Sequence, residues 1–166
     1  MERLFAGVRS VLYASGFVLL WGWLVGLATR LDRAAGRALP AVPGLSVVGI
    51  TLAVAGGLLA LTCVVLFIAR GEGTPAPFDS PRRFVAVGPY RFVRNPMYVG
   101  AITLLVGFGL VLDAPSVFWV AFAALFFSNL FVIFVEEPGL ERRFGETYLA
   151  YKRATNRWIP RLARAD

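Results

Sequence analysis

The sequence predicts an all-α integral membrane protein of about four transmembrane helices. The third and fourth form a helical hairpin, and a cytosolic amphipathic helix follows them toward the C-terminus. Three observations carry this reading. Hydrophobic residues make up 58% of the chain and mean hydropathy is +0.69, against about 45–50% apolar in ordinary globular domains. The apolar residues collect in uncharged runs, and about 18 or more in a row can cross a bilayer core. The net charge of +7 lies between and after those runs. In a soluble chain that excess would suggest nucleic acid. Here it suits anionic headgroups, so membrane lipids are the expected partners and nucleic acid is not.

The elements follow in order. Ser10–Thr29 is uncharged, rich in Leu, Val, Gly and Trp, and preceded by Arg3 and Arg9. A cleaved signal peptide is the alternative. The length of the run, Trp21 and Trp23, and a missing A-x-A pattern favour a retained span. Arg30, Asp32, Arg33 and Arg37 read as a short polar loop. Pro40, Pro43 and Gly44 make the start of the next uncharged stretch a turn, which places the second span at Leu45–Ala69. "GEGTPAPFDSPRR" reads as an extended surface loop, and "FVAV" as a short strand-like piece. Uncharged runs then cover Asn95–Leu112 and Ala114–Val135, with only Asp113–Ser116 between them. So short a turn makes these two helices antiparallel neighbours. From Glu136 onward the chain is polar, with Phe144, Tyr148 and Tyr151 at helical spacing, the pattern of an amphipathic helix. The whole reads as one domain, with two N-terminal spans over 1–69 and a core over 70–166.

Four spans put both termini on one side. Every lysine and arginine except Arg30, Arg33 and Arg37 then shares that side. The positive-inside rule makes it cytoplasmic, so a multi-pass protein, of the bacterial inner membrane type, exposes 70–94 and 136–166 to the cytosol.

The chain has no histidine and one cysteine, Cys63. The commonest metal ligand and general base are therefore missing, as is any multi-thiolate site, and no metal is expected. Glu136 and Glu137 close the fourth span. Carboxylates there are functional suspects, although a headgroup boundary with Pro138 opening the next helix fits equally well. Tyr90, Arg91, Arg94 and Asn95 precede the third span. Pro96 suits its first turn, and Asn95 its N-cap. Tyr and Arg also serve as interfacial anchors. The hairpin, however, brings this cluster beside the glutamates, which favours a shared site. Gly56, Gly57, Gly107 and Gly109 read as close-packing positions, Cys63 as a buried apolar residue, and Asp113 as a turn residue on the far side.

The ordered combination "GPYRFVRNPMYVG", a hairpin, and "EEPGLERRFGETYLAYKRATNRWIP" resembles the isoprenylcysteine carboxyl methyltransferase and phospholipid methyltransferase superfamily. The likeness covers roughly residues 74 to 162. It implies an integral membrane methyltransferase that uses S-adenosylmethionine from the cytosol and a lipophilic acceptor from the bilayer. By position, Arg83, Phe84 and Val85 would line the adenosine region. Tyr90 and the turn Asn95, Pro96, Met97 and Tyr98 would contact the cofactor, and Glu136 would bind its polar groups. Arg94 and Glu137 would be catalytic neighbours of Glu136. Tyr148, Tyr151 and Arg153 would help close the pocket. Two departures separate the chain from the enzymes of prenylated cysteine: Asn95 stands where many have His, and Val132 where an Arg would pair with a substrate carboxylate. If the acceptor is an amine, Glu136 or Glu137 is the candidate base. The alternatives are a membrane NADPH-dependent reductase of related architecture and a non-catalytic membrane protein.

Overall fold

Prolines and glycines mark where helix gives way to turn in this chain. The computed structural model describes residues 2–71 and 84–161. The extended loop expected from "GEGTPAPFDSPRR", and Arg83 with it, lies outside the described residues apart from Gly71. Six α-helices are described: α1 (Glu2–Ala34), α2 (Leu45–Leu66), α3 (Pro96–Val111), α4 (Ser116–Phe131), α5 (Glu137–Phe144) and α6 (Glu146–Ala154). Among the described residues no strand forms. The "FVAV" piece, Phe84–Val87, is extended without a ladder, and Val93 makes an isolated parallel bridge to Asn156.

Three expectations change. The first polar loop is shorter than the charges suggest, because α1 continues to Ala34 and carries Arg30, Asp32 and Arg33 within it. The reason is at its far end: Asp32 is buried and works as a helix-end acceptor for α4, described below. The C-terminal amphipathic helix is two helices. Gly145 breaks it at φ 53 and ψ −130, a conformation that costs a side chain dearly but glycine little. Glu136 and Glu137 also do not start a new helix. A π-helical turn, Val132–Glu136, joins α4 to α5, and the helix runs on from Ser116 to Phe144. The wider turn absorbs Pro138, whose missing N–H would otherwise leave a gap in the α-helical ladder. A second π turn, Phe67–Gly71, extends α2.

α2 and α3 make the closest contact. A Cβ added to Gly56 would lie 2.5 Å from the Gly100 carbonyl oxygen, and one on Gly107 would lie 2.5 Å from the Ala53 nitrogen. Backbone therefore rests on backbone, as small residues permit in apolar helices. Gly49 faces Gly107 and Gly56 faces Gly100, so the helices run antiparallel. Gly57 is not part of this contact, since its nearest neighbour is the flexible end of Leu104 at 3.9 Å. Gly109 makes room for the Phe118 ring of α4, which packs α3 against α4 across the hairpin. α1 packs on α4 through Val25, Ala28, Val117, Ala121 and Ala124.

The outer surface is apolar. Leu19, Trp23, Leu61, Trp119, Phe127 and Phe134 are all exposed, and soluble monomers rarely expose so continuous an apolar belt. Leu45–Arg70 and Ser116–Phe144 are long and apolar enough to cross a membrane, and Pro96–Val111 is apolar but shorter.

Candidate functional site

The hairpin brings the start of α3 beside the end of α4, and residues from both enclose a cavity of about 290 Å³. Its walls come from several stretches. The extended piece gives Phe84 and Val85, and the 3-10 turn Gly88–Arg91 gives Tyr90. The approach to α3 and its first turn give Arg94, Asn95, Met97 and Tyr98. The end of α4 and the π turn give Phe131, Val135 and Glu136. α5 and α6 supply Glu137, Gly139, Tyr148 and Tyr151. Of the described residues expected at the site, Pro96 and Arg153 do not line this cavity. Pro96 is fully buried and starts α3, where its fixed φ is suited and no N–H is needed.

Glu136 and Glu137 are adjacent, so on a helix they point roughly 100° apart. Their environments differ accordingly. Glu137 is 4% exposed and is claimed by three cations. Its Oε1 accepts from Arg94 Nη2 at 2.8 Å and from Arg157 Nε at 2.7 Å. Its Oε2 accepts from Arg157 Nη2 at 3.1 Å and lies 3.3 Å from Lys152 Nζ. Among the described residues Glu136 accepts one hydrogen bond, from Tyr98 Oη to its Oε2 at 3.2 Å. Among the described residues no lysine or arginine pairs with it. Glu137 thus holds structure together, while Glu136 keeps acceptor capacity toward the cavity.

Arg94 shares in the clamp. Its Nη1 donates to the carbonyls of Thr155 at 2.8 Å and Lys152 at 3.0 Å. Its Nε is buried and has no hydrogen-bond acceptor among the described residues. Asn95 occupies the N-cap position without capping through its side chain. Its backbone N–H instead donates to the Arg157 carbonyl at 3.2 Å, and its Nδ2 reaches the same oxygen at 3.4 Å. This corrects the expected cap: the demand for a partner comes from the C-terminal chain, not from the first turn of α3.

The aromatic side of the cavity centres on Phe84. Phe144, Tyr148 and Tyr151 surround its ring at centroid distances of 5.5, 5.9 and 5.1 Å, within the range of favourable edge and tilted contacts. The three rings therefore converge on Phe84 from two helices, Phe144 from α5 and the two tyrosines from α6. Tyr151 Oη donates to the Tyr90 carbonyl at 2.6 Å, which ties α6 to the 3-10 turn. Burial pushes the Tyr90, Tyr148 and Tyr151 hydroxyls above the ordinary phenol range, so all three stay protonated. Arg153 does not close the cavity; it turns outward to pair with Glu146.

Four contributors were not singled out from the sequence. Phe67 reaches the cavity from the π turn after α2. Arg157 completes the clamp on Glu137. Trp158 packs edge-on to Tyr98 at 6.2 Å and donates its indole N–H to Asn129 Oδ1 at 3.0 Å. The Ile159–Pro160 pair that follows is exposed, so the anchors are the two residues before it. Asn129 was open to detection, since a lone amide in an apolar run needs a partner.

A family model described as Phospholipid methyltransferase matches residues 45–147. No curated protein matches the chain. The match opens where α2 opens, so α2 belongs to the shared architecture although it carries no sequence motif. It takes in the cavity's α3, α4 and α5 walls and stops one residue short of Tyr148. It spans more than half of the chain and contains both the Tyr90–Tyr98 segment and the two glutamates. The chain therefore belongs to the phospholipid methyltransferase family, within the membrane methyltransferase superfamily that also holds the isoprenylcysteine carboxyl methyltransferases.

Proposed function

We propose that this member moves a methyl group from S-adenosylmethionine to a lipid acceptor at the cavity beside Glu136. In this reading α1, α2, α3 and the α4–α5 helix are four spans, and the cavity opens on the cytosolic side with both termini. The observation that carries the proposal is the division between the glutamates: Glu137 is consumed by Arg94, Arg157 and Lys152, and Glu136 is left facing the cavity with one phenol.

The donor and acceptor set fits the cofactor. An ammonium group or ribose hydroxyls need an acceptor, and Glu136 supplies one. An adenine and a sulfonium favour aromatic faces, and Phe84, Tyr90, Tyr148 and Tyr151 line the wall. A carboxylate needs donors, and Arg94 Nε is a buried donor without an acceptor among the described residues. Gly139 lines the cavity with open space where its Cβ would stand. Arg83 would extend the adenosine region from outside the described residues.

S-adenosylmethionine, when bound, supplies a methyl group for in-line displacement, a reaction that depends on alignment more than on strong acid or base. The chain's own residues hold and shield. Tyr98 orients the Glu136 carboxylate, and the α6 tyrosines keep water from the aromatic wall. Val135 lines the cavity and is also 51% exposed on the outer face, which makes it the point where a lipophilic acceptor enters from the bilayer. If the acceptor atom is an amine nitrogen, Glu136 takes its proton, because Glu137 is occupied by cations. A prenylcysteine acceptor lacks support: Val132, where its carboxylate partner would stand, is fully buried in the π turn.

Calorimetry with S-adenosylhomocysteine on detergent-purified protein tests the reading. The wild type should bind it in preference to NADPH. Glu136→Ala should weaken binding at least tenfold while Asp113→Ala leaves it unchanged. Folded wild-type protein that gives no heat with S-adenosylhomocysteine, or that prefers NADPH, would overturn the proposal.

A further inference from the structure

The C-terminal segment Thr155–Trp158 lies almost wholly beyond the cavity wall and beyond the stretch that matches the family model, yet it touches both glutamates' supports. Asn156 O accepts from the Arg94 N–H at 2.8 Å, and Arg157 O accepts from the Asn95 N–H at 3.2 Å. These bonds clip the segment to the start of α3. Trp158 then crosses to the other arm of the hairpin. Its indole N–H is fixed to Asn129 Oδ1 on α4 at 3.0 Å, and its ring stands edge-on to Tyr98 of α3, 71° between planes. Tyr98 in turn donates to Glu136.

This is a chain of contacts from a surface strap to the carboxylate that faces the cavity. Tyr98 has two torsions to fix before its hydroxyl meets Glu136. A ring packed against it removes part of that freedom, and an indole anchored at its own nitrogen cannot swing away. We infer that Trp158, anchored by Asn129, is a positioning residue: it holds the Tyr98 ring so that its hydroxyl sets Glu136 for ligand. The inference rests on the cofactor reading of the Glu136 cavity and deepens it. The Trp158 N–H is held by a half-buried amide on another helix, which fixes the plane of the ring as well as its place.

The test is a double-mutant cycle on S-adenosylhomocysteine affinity, measured by calorimetry in detergent beside the thermal midpoint. Trp158→Ala should weaken affinity roughly three- to tenfold, the size of an aromatic contact turned into binding. Trp158→Phe and Asn129→Ala, which keep a ring beside Tyr98 but release the anchor, should give smaller losses with the protein fully folded. In a Tyr98→Phe background, where the hydroxyl is already gone, all three should have little further effect on affinity. Ile159→Ala, at an exposed neighbouring site, should match wild type throughout. Wild-type binding with losses that simply add in the Tyr98→Phe background, or with no loss at all, would overturn the positioning role and leave the cofactor reading intact. Wild-type protein that binds no S-adenosylhomocysteine would overturn both.

Discussion

At the Asp113 end of the helix bundle, Asp32 is 1% exposed and fully engaged. It accepts from the Ser116 N–H at 2.7 Å and from Ser116 Oγ at 2.6 Å, and Arg37 Nε lies 3.1 Å away. It serves as the first-turn acceptor of α4 from another helix, because Pro115 occupies the N-cap position and has no side-chain acceptor. At the opposite end, Glu137 does a comparable job with Arg94, Arg157 and Lys152. Both ends thus lock neighbouring segments with a buried, saturated carboxylate. The difference is the second carboxylate. Asp113 is spent on the Leu39 N–H at 2.7 Å, while Glu136 has only Tyr98 among the described residues and borders a cavity. Burial and charge therefore do not distinguish the end that holds the candidate site. Unspent hydrogen-bonding capacity beside an enclosed space does.

The largest expected break in this comparison is Glu137→Ala. It leaves the Arg94 and Arg157 guanidinium groups half-buried and without their anion. Breaking a buried ion pair from one side costs about 3–5 kcal/mol, a fall of roughly 10 °C in thermal midpoint for a chain of this size. Because the clamp holds Arg94 and Asn95 at the cavity, S-adenosylhomocysteine binding should fall with it. Asp32→Ala should also lower the midpoint, but the folded fraction should bind ligand as wild type does. Equal binding losses in both variants would show that the ends are not separable.

Gly139→Leu attacks the free space instead of the charge. Among the described residues, nothing beyond its own turn of helix lies within 4 Å of the position its Cβ would take, and the residue lines the cavity. A leucine side chain can therefore enter without moving backbone. Replacing glycine in helix α5 should hold or raise the thermal midpoint, by up to about 1 kcal/mol of helix propensity. Ligand binding should fall by about a hundredfold or more. Unaltered affinity in this variant would show that the ligand sits elsewhere.

Much of the fold was legible because apolar runs and turn signals are local. The hairpin follows from Asp113–Ser116, and the meeting of Tyr98 with Glu136 follows from the hairpin. What could not be read depends on partners distant in sequence. Arg30 to Arg33 look like loop until Asp32 is seen to serve Ser116, far along the chain. The π turn before Glu136 leaves no compositional mark, since it answers packing around Val132 and the proline at 138. The Gly56 and Gly57 pair reads as one feature, but only the face toward α3 requires a glycine. The same limit hid the unequal roles of the two glutamates: their neighbours in sequence are shared, while Arg157 and Lys152 arrive from a segment that folds back.

The smallest expected effect is at Asp113, and it bears on whether the far end is purely structural. Asp113 sits at φ 54, a region that Asp and Asn tolerate better than other side chains. Its Oδ1 also accepts the Leu39 N–H. Asp113→Asn keeps both properties and should leave the midpoint unchanged. Asp113→Gly relieves the backbone but loses the acceptor, and Asp113→Ala loses on both counts, with a fall of about 2 °C. Thermal unfolding of the three in detergent should give the order Asn, Gly, Ala. A different order would mean that the carboxylate's charge, not its acceptor oxygen or its turn geometry, matters there. S-adenosylhomocysteine affinity should be the same in all three, because nothing at this end reaches the cavity. A loss in Asp113→Ala comparable to that in Glu136→Ala would mean that the antiparallel α2–α3 contact, rigid because its glycines bring backbone onto backbone, carries strain along the bundle from one end to the other.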